Sequence, residues 1–189
     1  MDLTPFLELA SRDHKHLCPR QVLGVRIGLK GMAVLEMDAS SAQKTLLVIS
    51  ETDGCFIDGI IAVTKCTVGH RTLRVEDYGK IAATFANTKT GQTVRIAPRM
   101  DVREHAWQYA LGETRHYFAQ LQAYQVMPDD ELLIVQTVKL NPSLEALISK
   151  AGVRVNCAQC GEEIINQREV LMNGKPHCIA CAQTAYYQS

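Results

Sequence analysis

Two groups of histidine and cysteine residues in this sequence have the types and spacing of metal ligands. In the first, His14, His16 and Cys18 fall within five residues, and Pro19 follows as a residue that can open a helix. Imidazole nitrogen and thiolate sulfur are the ligands that zinc and similar metals prefer. Because this cluster cannot close a tetrahedral site alone, we expect another part of the chain to supply a further ligand.

The second group is a pair of Cys-x-x-Cys motifs separated by seventeen residues. Its members are Cys157, Cys160, Cys178 and Cys181. Each pair can place two thiolates on one tetrahedral zinc ion, and so short a segment has too little core to fold without that ion. A redox dithiol is the alternative, although it usually has one such motif beside a βαβ unit. His177 adjoins Cys178 and could compete as a ligand.

The charge of the cysteine-rich segment indicates what it contacts. Its charged side chains cancel, with three cations and three anions: Arg154, Arg168, Lys175, Glu162, Glu163 and Glu169. Proteins that bind nucleic acid usually have a basic face, so we favour protein contact over nucleic acid. The segment resembles the zinc fingers of the DksA/TraR type, which act through protein contacts.

The whole chain has the composition of a globular protein. It has 189 residues, 47% of them hydrophobic, a formal net charge of zero and seven cysteines. No run of eighteen apolar residues and no secretory signal is apparent, so we expect a soluble, cytoplasmic protein without a membrane contact. In that setting the cysteines favour metal or redox chemistry over disulfides.

The hydrophobic pattern predicts the elements that must position these ligands. We expect helices over 4–12, 19–37, 55–65, 103–124 and 141–151, and strands over 44–51, 72–76, 80–87, 92–97 and 131–140. The resulting fold class is α+β. An N-terminal domain of mixed helices and antiparallel sheet spans residues 1–152, and a small zinc-ribbon domain spans residues 153–189.

Two predicted helices have features that need a structural explanation. Gly24, Gly28 and Gly31 lie on one stripe of the second helix, which favours close approach of another backbone, with a ligand on the stripe as the alternative. The predicted helix 103–124 has an inner face formed by Trp107, Leu111, Phe118 and Leu121. His105 and His116 would lie three turns apart on it, as ordinary helix residues.

Cys55 and Cys66 are the candidates for completing the first metal site. They lie at opposite ends of one predicted helix, about 15 Å apart along its axis. We therefore expect one of them to be a ligand and the other to line the pocket. The alternative for either is a small core residue, as free cysteines in apolar regions usually are.

Four motifs in order resemble the FmdE family of formylmethanofuran dehydrogenase proteins. They are His14-x-His16-x-Cys18-Pro19, Glu51-Thr52-Asp53-Gly54-Cys55-x-x-Asp58, Cys66-Thr67-x-Gly69 and Asp77-Tyr78-Gly79-Lys80-x-Ala82. The resemblance covers most of residues 10–140. It implies an α+β core domain, a homodimer and a metal site on these motifs. The family is named for its association with a molybdenum or tungsten enzyme complex.

The motifs rank the ligands of a second transition metal, which we take as zinc. His16, Cys18 and Cys55 come first, followed by His14 and Cys66. Three further residues are assigned to the surrounding pocket: Asp58, Arg20 and Lys65. Asp58 could orient a ligand histidine or form a salt bridge elsewhere. Arg20 and Lys65 depart from the family pattern, and they either bind an anionic ligand or point to solvent. Lys80 and Asp77 are interpreted as structural.

Three functions compete on this basis. The first is a metal-binding accessory protein whose core holds one metal and whose ribbon docks a protein partner. The second is a metal-dependent enzyme in which three protein ligands leave an open position. No further acid, base or nucleophile is legible, so we lean away from an enzyme. A nucleic-acid-binding regulator comes third because the chain has no net charge.

Overall fold

The computed structural model of the protein describes residues 2–38, 45–148, 152–183 and 185–187. The chain divides into two compact units, Met1–Leu140 and Asn141–Ser189. The predicted α+β class is confirmed, with helices and a sheet in the first unit and short hairpins beside a cysteine cluster in the second. No helix in the described part of the chain is long and apolar enough to cross a membrane.

The first unit contains six helices and five strands within its described residues. The helices are α1 (Thr4–Ser11), α2 (Pro19–Val34), α3 (Cys55–Thr64), α4 (Val102–Tyr109), α5 (His116–Val126) and α6 (Asp129–Leu132). The strands are β1 (Leu46–Ser50), β2 (Leu73–Val75), β3 (Ala83–Asn87), β4 (Thr93–Pro98) and β5 (Leu133–Thr137). Most lie inside the predicted ranges. The predicted starting residue of β1, Lys44, lies outside the described residues.

The five strands form one sheet in the order β2-β1-β3-β4-β5. Three neighbouring pairs are antiparallel, as predicted, while β1 and β2 run parallel with Val48 opposite Leu73. The central strand β3 is almost entirely buried, as its apolar sequence requires. The sheet supports β4, whose C-terminal end lies near the functional site described below.

Helix α2 is buried over most of its length and crosses α3 at very short range. A Cβ atom at Gly24 would collide with the carbonyl oxygen of Phe56, and one at Gly59 would collide with the carbonyl oxygen of Gln21. The predicted approach of another backbone is therefore confirmed at Gly24. Farther along the stripe, a Cβ at Gly31 would lie 2.6 Å from the Phe85 ring, so protein atoms fill the space that a ligand would need.

The single helix predicted over 103–124 is wrong, because the chain forms α4 and α5 with a break between them. Gly112 has a φ of +86°, which a continuing helix cannot accommodate. The Glu113 carboxylate then accepts hydrogen bonds from the N–H groups of Thr114 and Arg115. Leu111 consequently lies 89% exposed in the break instead of on an inner face.

The break also changes the interpretation of the two histidines on this segment. His105 lies on α4 and His116 begins α5, so the predicted single helical face does not exist. The His116 ring contacts the Trp107 ring edge to face, with centroids 4.7 Å apart. A similar correction applies to residues 131–140, where Glu131 belongs to α6 and the strand covers only β5.

The second unit is built from small elements. Helix α7 (Leu144–Leu147) starts with the Ser143 hydroxyl accepting a hydrogen bond from the Ala146 N–H. Two hairpins follow, β6 (Arg154–Asn156) with β7 (Glu163–Ile165) and β8 (Val170–Met172) with β9 (Lys175–His177), and α8 (Ile179–Ala182) closes the unit. Ala151, the predicted end of the connecting helix, lies outside the described residues.

Candidate metal centres

The four cysteines of the second unit form a compact sulfur cluster. Cys157 and Cys160 lie in the turn between β6 and β7, while Cys178 and Cys181 lie at the start of α8. All four Sγ atoms lie within 4.8 Å of one another, and those of Cys160 and Cys178 are 3.9 Å apart. Two thiolates on a tetrahedral zinc ion are about 3.8 Å apart, given Zn–S bonds of about 2.3 Å. The donor set therefore fits zinc.

Backbone groups in the two turns favour thiolate at this cluster. The N–H of Cys178 donates to the Cys157 sulfur at 3.3 Å, and the N–H of Cys181 donates to the Cys178 sulfur at 3.4 Å. Hydrogen bonds from the backbone of Cys160 and Cys178 lower the pKa of Cys157 to about 6. The neighbouring Cys178 thiol raises the pKa of Cys181 to about 12. Four crowded thiols thus ionise unequally until a cation binds among them.

The core site begins with Cys18, which precedes α2 and is held in place by a buried glutamine. The N–H of Cys18 donates to Oε1 of Gln21 at 2.8 Å, and Nε2 of Gln21 donates to the carbonyl oxygen of Ala10 at 2.8 Å. Gln21 is fully buried. This side chain therefore ties the end of α1 to the start of α2 and fixes the backbone from which the thiol projects.

Cys55 is the first residue of α3 and faces Cys18 across the helix crossing. Gly54, with a φ of +71°, turns the chain sharply from the sheet into the helix, a conformation that favours glycine. Burial raises the pKa of Cys55, and the neighbouring Cys18 thiol and Asp58 carboxylate raise it further. These causes place the two thiols and the carboxylate in one small region, where they would compete for negative charge unless a cation were bound.

His14 and Asp58 complete the cluster around Cys55. Nε2 of His14 lies 2.8 Å from Oδ2 of Asp58, and both side chains are more than a third exposed. One ligand atom from each of His14, Cys55 and Asp58 lies within 4.8 Å of the others. An imidazole, a thiolate and a carboxylate at this separation fit a transition metal such as zinc. Alternatively, the carboxylate orients the histidine from outside the coordination sphere.

The structure separates the remaining predicted residues. His16, Cys18 and Arg20 line one cavity together with Cys55. Cys66 is fully buried at the far end of α3, where burial raises the pKa of its thiol and its sulfur lies 3.9 Å from the carbonyl oxygen of Leu46. Among the described residues, Cys66 belongs to neither cluster of ligands.

Lys65 follows α3 in the left-handed region with a φ of +58°, and its ammonium group donates to the carbonyl oxygen of Ala62 at 2.8 Å. It lines a smaller cavity of about 330 Å³ together with His14 and Asp58. Arg20 and Lys65 therefore lie beside different cavities, each of which reaches part of the core cluster.

The cavity at Cys18 and Cys55 has a volume of about 960 Å³ and includes residues that the sequence did not reveal as functional. Arg95 and Arg99 come from β4 and the turn after it, Arg103 comes from α4, and Tyr117 comes from α5. Lys80, interpreted from the sequence as structural, also lines it. Burial raises the pKa of Tyr117, as do the nearby Cys18 and Cys55 thiols, so its hydroxyl lies close to both.

One cation of this cavity has a built-in partner. Nε and an Nη atom of Arg95 donate to the two carboxylate oxygens of Glu51 at 2.5 and 2.8 Å, and the Glu51 hydrogen bond raises the pKa of the guanidinium. The pair connects β4 to the turn that leads from β1 into Cys55. This bidentate contact fixes the cavity wall.

Comparison with known proteins identifies both parts of the chain. The family described as "FmdE, Molybdenum formylmethanofuran dehydrogenase operon" matches residues 14–147. The family described as "Prokaryotic dksA/traR C4-type zinc finger" matches residues 151–187, which contain the four-cysteine cluster. The resemblances suggested by the sequence motifs are confirmed in both cases.

Two individual proteins are similar to this chain. A "Probable S-adenosyl-L-methionine-binding protein" of Archaeoglobus fulgidus is 38% identical over 97 residues, which are 50% of this chain and 26% of that protein. The chain thus spans about a quarter of the relative's length. The crystal structure of a tungsten formylmethanofuran dehydrogenase FmdE-like protein from Syntrophus aciditrophicus is 21% identical, with a TM-score of 0.58 over 100% of this chain and 96% of that one. This likeness establishes a shared fold.

Proposed function

We propose that this chain, which belongs to the FmdE family, is a metal-binding accessory protein with one zinc ion in the core unit and one in the ribbon. The observation that carries the proposal is the cluster of His14, Cys55 and Asp58, whose ligand atoms lie within 4.8 Å of one another. Cys18 lies beside Cys55 and supplies a further thiolate. His16 lines the same cavity and is the alternative imidazole.

The ribbon is proposed to dock a partner protein. Its charges cancel, which disfavours a phosphate backbone as the partner. Several large apolar side chains of the unit are exposed, including Leu171 at 69%, Ile179 at 54% and Tyr187 at 53%. Exposed apolar side chains of this kind are typical of protein contact surfaces. A homodimer is proposed as the assembly, and the description of the FmdE family supports a molybdenum or tungsten enzyme as the context in which the protein acts.

Metal analysis of the purified protein and of single variants tests the core site. Wild type should contain two zinc ions per chain, and Cys55→Ser and His14→Ala should each contain one. Cys66→Ala is the matched control, because it removes a thiol that lies outside both clusters, and it should retain two. A wild type that contains one ion, lost in Cys157→Ser and unchanged in Cys55→Ser, would refute the core centre.

A metal-dependent enzyme is the second candidate, favoured by the cavity that reaches Cys18 and Cys55. Such access would allow a small molecule to reach an open metal position. Cobalt placed in the core site, with zinc retained in the ribbon, separates the two candidates. Added thiocyanate should leave the visible spectrum unchanged if four protein ligands close the site, and should shift the spectrum if one position is open.

The name of the Archaeoglobus relative suggests S-adenosylmethionine as a ligand to test. This molecule carries a net positive charge, and Arg20, Lys80 and Arg103 line the cavity without a carboxylate partner among the described residues. We therefore expect the cavity to bind it weakly. Equilibrium dialysis with the zinc-loaded chain would measure this directly.

A further inference from the structure

The cavity beside the core centre concentrates positive charge in a chain whose formal net charge is zero. Five cationic side chains line it, and no aspartate or glutamate does so among the described residues. These cations are Arg20, Lys80, Arg95, Arg99 and Arg103. They come from the start of α2, the loop before β3, the end of β4 and the start of α4, so the fold gathers them from four places.

Only part of this charge is neutralised. Arg95 is fully paired with Glu51, and Arg99 has a weak contact of 3.8 Å with Asp101 between two half-exposed side chains. Arg20, Lys80 and Arg103 form no ion pair or hydrogen bond with any described side chain. Three uncompensated cations therefore face one concave surface, an arrangement that raises the local concentration of anions.

The bottom of the cavity has a different character. Leu23, Val102 and Tyr124 contribute apolar surface and are between 2% and 6% exposed, while the three uncompensated cations are exposed at the rim. The volume of about 960 Å³ falls within the range of small-molecule sites, about 300–1,000 Å³. An apolar floor below a cationic rim suits a ligand that has an apolar body and an anionic head.

We propose that this cavity binds a small organic phosphomonoester. Arg20, Lys80 and Arg103 hold the dianionic head group, whose three terminal oxygens can accept hydrogen bonds from several cations at once. The apolar body lies on Leu23, Val102 and Tyr124. Cys18 and Cys55 form the adjoining wall, so the bound molecule lies beside the core metal. In this last respect alone the proposal rests on the proposed function.

Calorimetric titration of the zinc-loaded, full-length chain in low-salt buffer tests the proposal with three simple probes. Phenyl phosphate presents the head and the body, inorganic phosphate presents the head alone, and phenol presents the body alone. We expect phenyl phosphate to bind at least tenfold more tightly than either fragment. Benzoate, which carries one charge on the same ring, should also bind at least tenfold more weakly. Equal or tighter binding of benzoate, phosphate or phenol would overturn the assignment.

Matched charge variants show whether the cavity cations are responsible. The double variant Lys80→Gln/Arg103→Gln should weaken phenyl phosphate binding at least tenfold. Lys89→Gln/Arg168→Gln removes two exposed cations elsewhere and should leave the affinity unchanged. All four positions are exposed, so folding is not at risk. Equal loss in both double variants would indicate nonspecific attraction and overturn the proposal.

Metal content measured on the same preparations separates this proposal from the proposed function. Two zinc ions per chain without phenyl phosphate binding would refute the phosphomonoester site alone. One zinc ion per chain, with phenyl phosphate binding that still depends on Lys80 and Arg103, would refute the core metal centre alone. The Cys55→Ser variant should retain affinity for phenyl phosphate within about threefold, since the head group contacts cations and not the metal.

Discussion

The ribbon cluster and the core cluster are both built from cysteine and histidine motifs, yet they depend on the fold in opposite ways. The ribbon places four sulfurs around one point with two short hairpins and very few buried apolar side chains. The core cluster lies at the ends of α2 and α3, which are held by an extensive buried core independent of any ion. Zinc binding therefore forms the ribbon, whereas the core fold forms its own binding site.

Loss of one ribbon ligand should produce the largest effect. Cys157→Ser leaves three thiolates and should unfold the ribbon hairpins, because metal binding supplies about 10 kcal/mol or more of folding free energy in small zinc domains. Amide signals of residues 152–183 should collapse to random-coil positions while those of the first unit persist. Ala158→Ser, within the same motif, should retain a folded ribbon. An intact ribbon in the zinc-free Cys157→Ser variant would contradict the contrast between the two sites.

Disturbing the helix crossing should affect the core site through the fold. Gly59→Ala places a methyl group against the carbonyl oxygen of Gln21 and should destabilise the first unit by about 3 kcal/mol, the upper part of the range for overpacking. Thermal unfolding and zinc content should both decrease. Gly69→Ala is the control, since its added methyl would meet nothing within 4 Å. Undiminished zinc in a destabilised Gly59→Ala chain would show that the crossing does not position the ligands.

The smallest effect concerns acid. Burial alone would raise the pKa of Asp129, but hydrogen bonds from Arg26 and Lys30 outweigh it and lower the pKa below 3.8. Asp129 therefore contributes stability above pH 3.8 that is lost as the pH falls through its lower native value. Asp129→Asn should cost about 1 kcal/mol at neutral pH, since the carboxylate is 42% exposed and partly screened.

This difference between wild type and Asp129→Asn should shrink as the pH falls below 3.8, as measured by urea denaturation at several pH values. Asp130→Asn, at the exposed neighbouring position, is the control and should change stability little. The ribbon should respond to acid differently, because protons compete with zinc for its thiolates. Ribbon zinc should therefore be released at a higher pH than the one at which the first unit unfolds, and the reverse order would contradict this contrast.

The ribbon could be predicted from the sequence because its ligands are local. Each Cys-x-x-Cys pair lies within one turn, so spacing alone defines the geometry. In the core, the ordered motifs identified His14, Cys55 and Asp58 as neighbours. They also ranked His16 and Cys18 above His14, whereas the structure groups His14 directly with Cys55 and Asp58.

The cationic cavity could not be predicted in this way. Arg95, Arg103 and Tyr117 are distant in sequence and meet only because β4, α4 and α5 pack beside α2. The break at Gly112 was missed for a related reason. Apolar residues continue at helical spacing on both sides of it, and only the backbone conformation of one glycine redirects the chain. Tertiary packing and a single dihedral angle carry this information, and hydrophobic periodicity does not report either.

The glycine crossing also acts as the pivot of a pair of levers. Gly24 lies six residues from Cys18, and Gly59 lies four residues from Cys55, which correspond to arms of about 9 and 6 Å along the two helix axes. A rotation of about 10° at the pivot would move each thiol by about 1 Å or more along these arms. Metal–ligand distances tolerate deviations of only about 0.2 Å. Backbone-to-backbone contact at the pivot thus sets a mechanical tolerance for the site, and the size of ion that fits between the thiols is set several residues away from them.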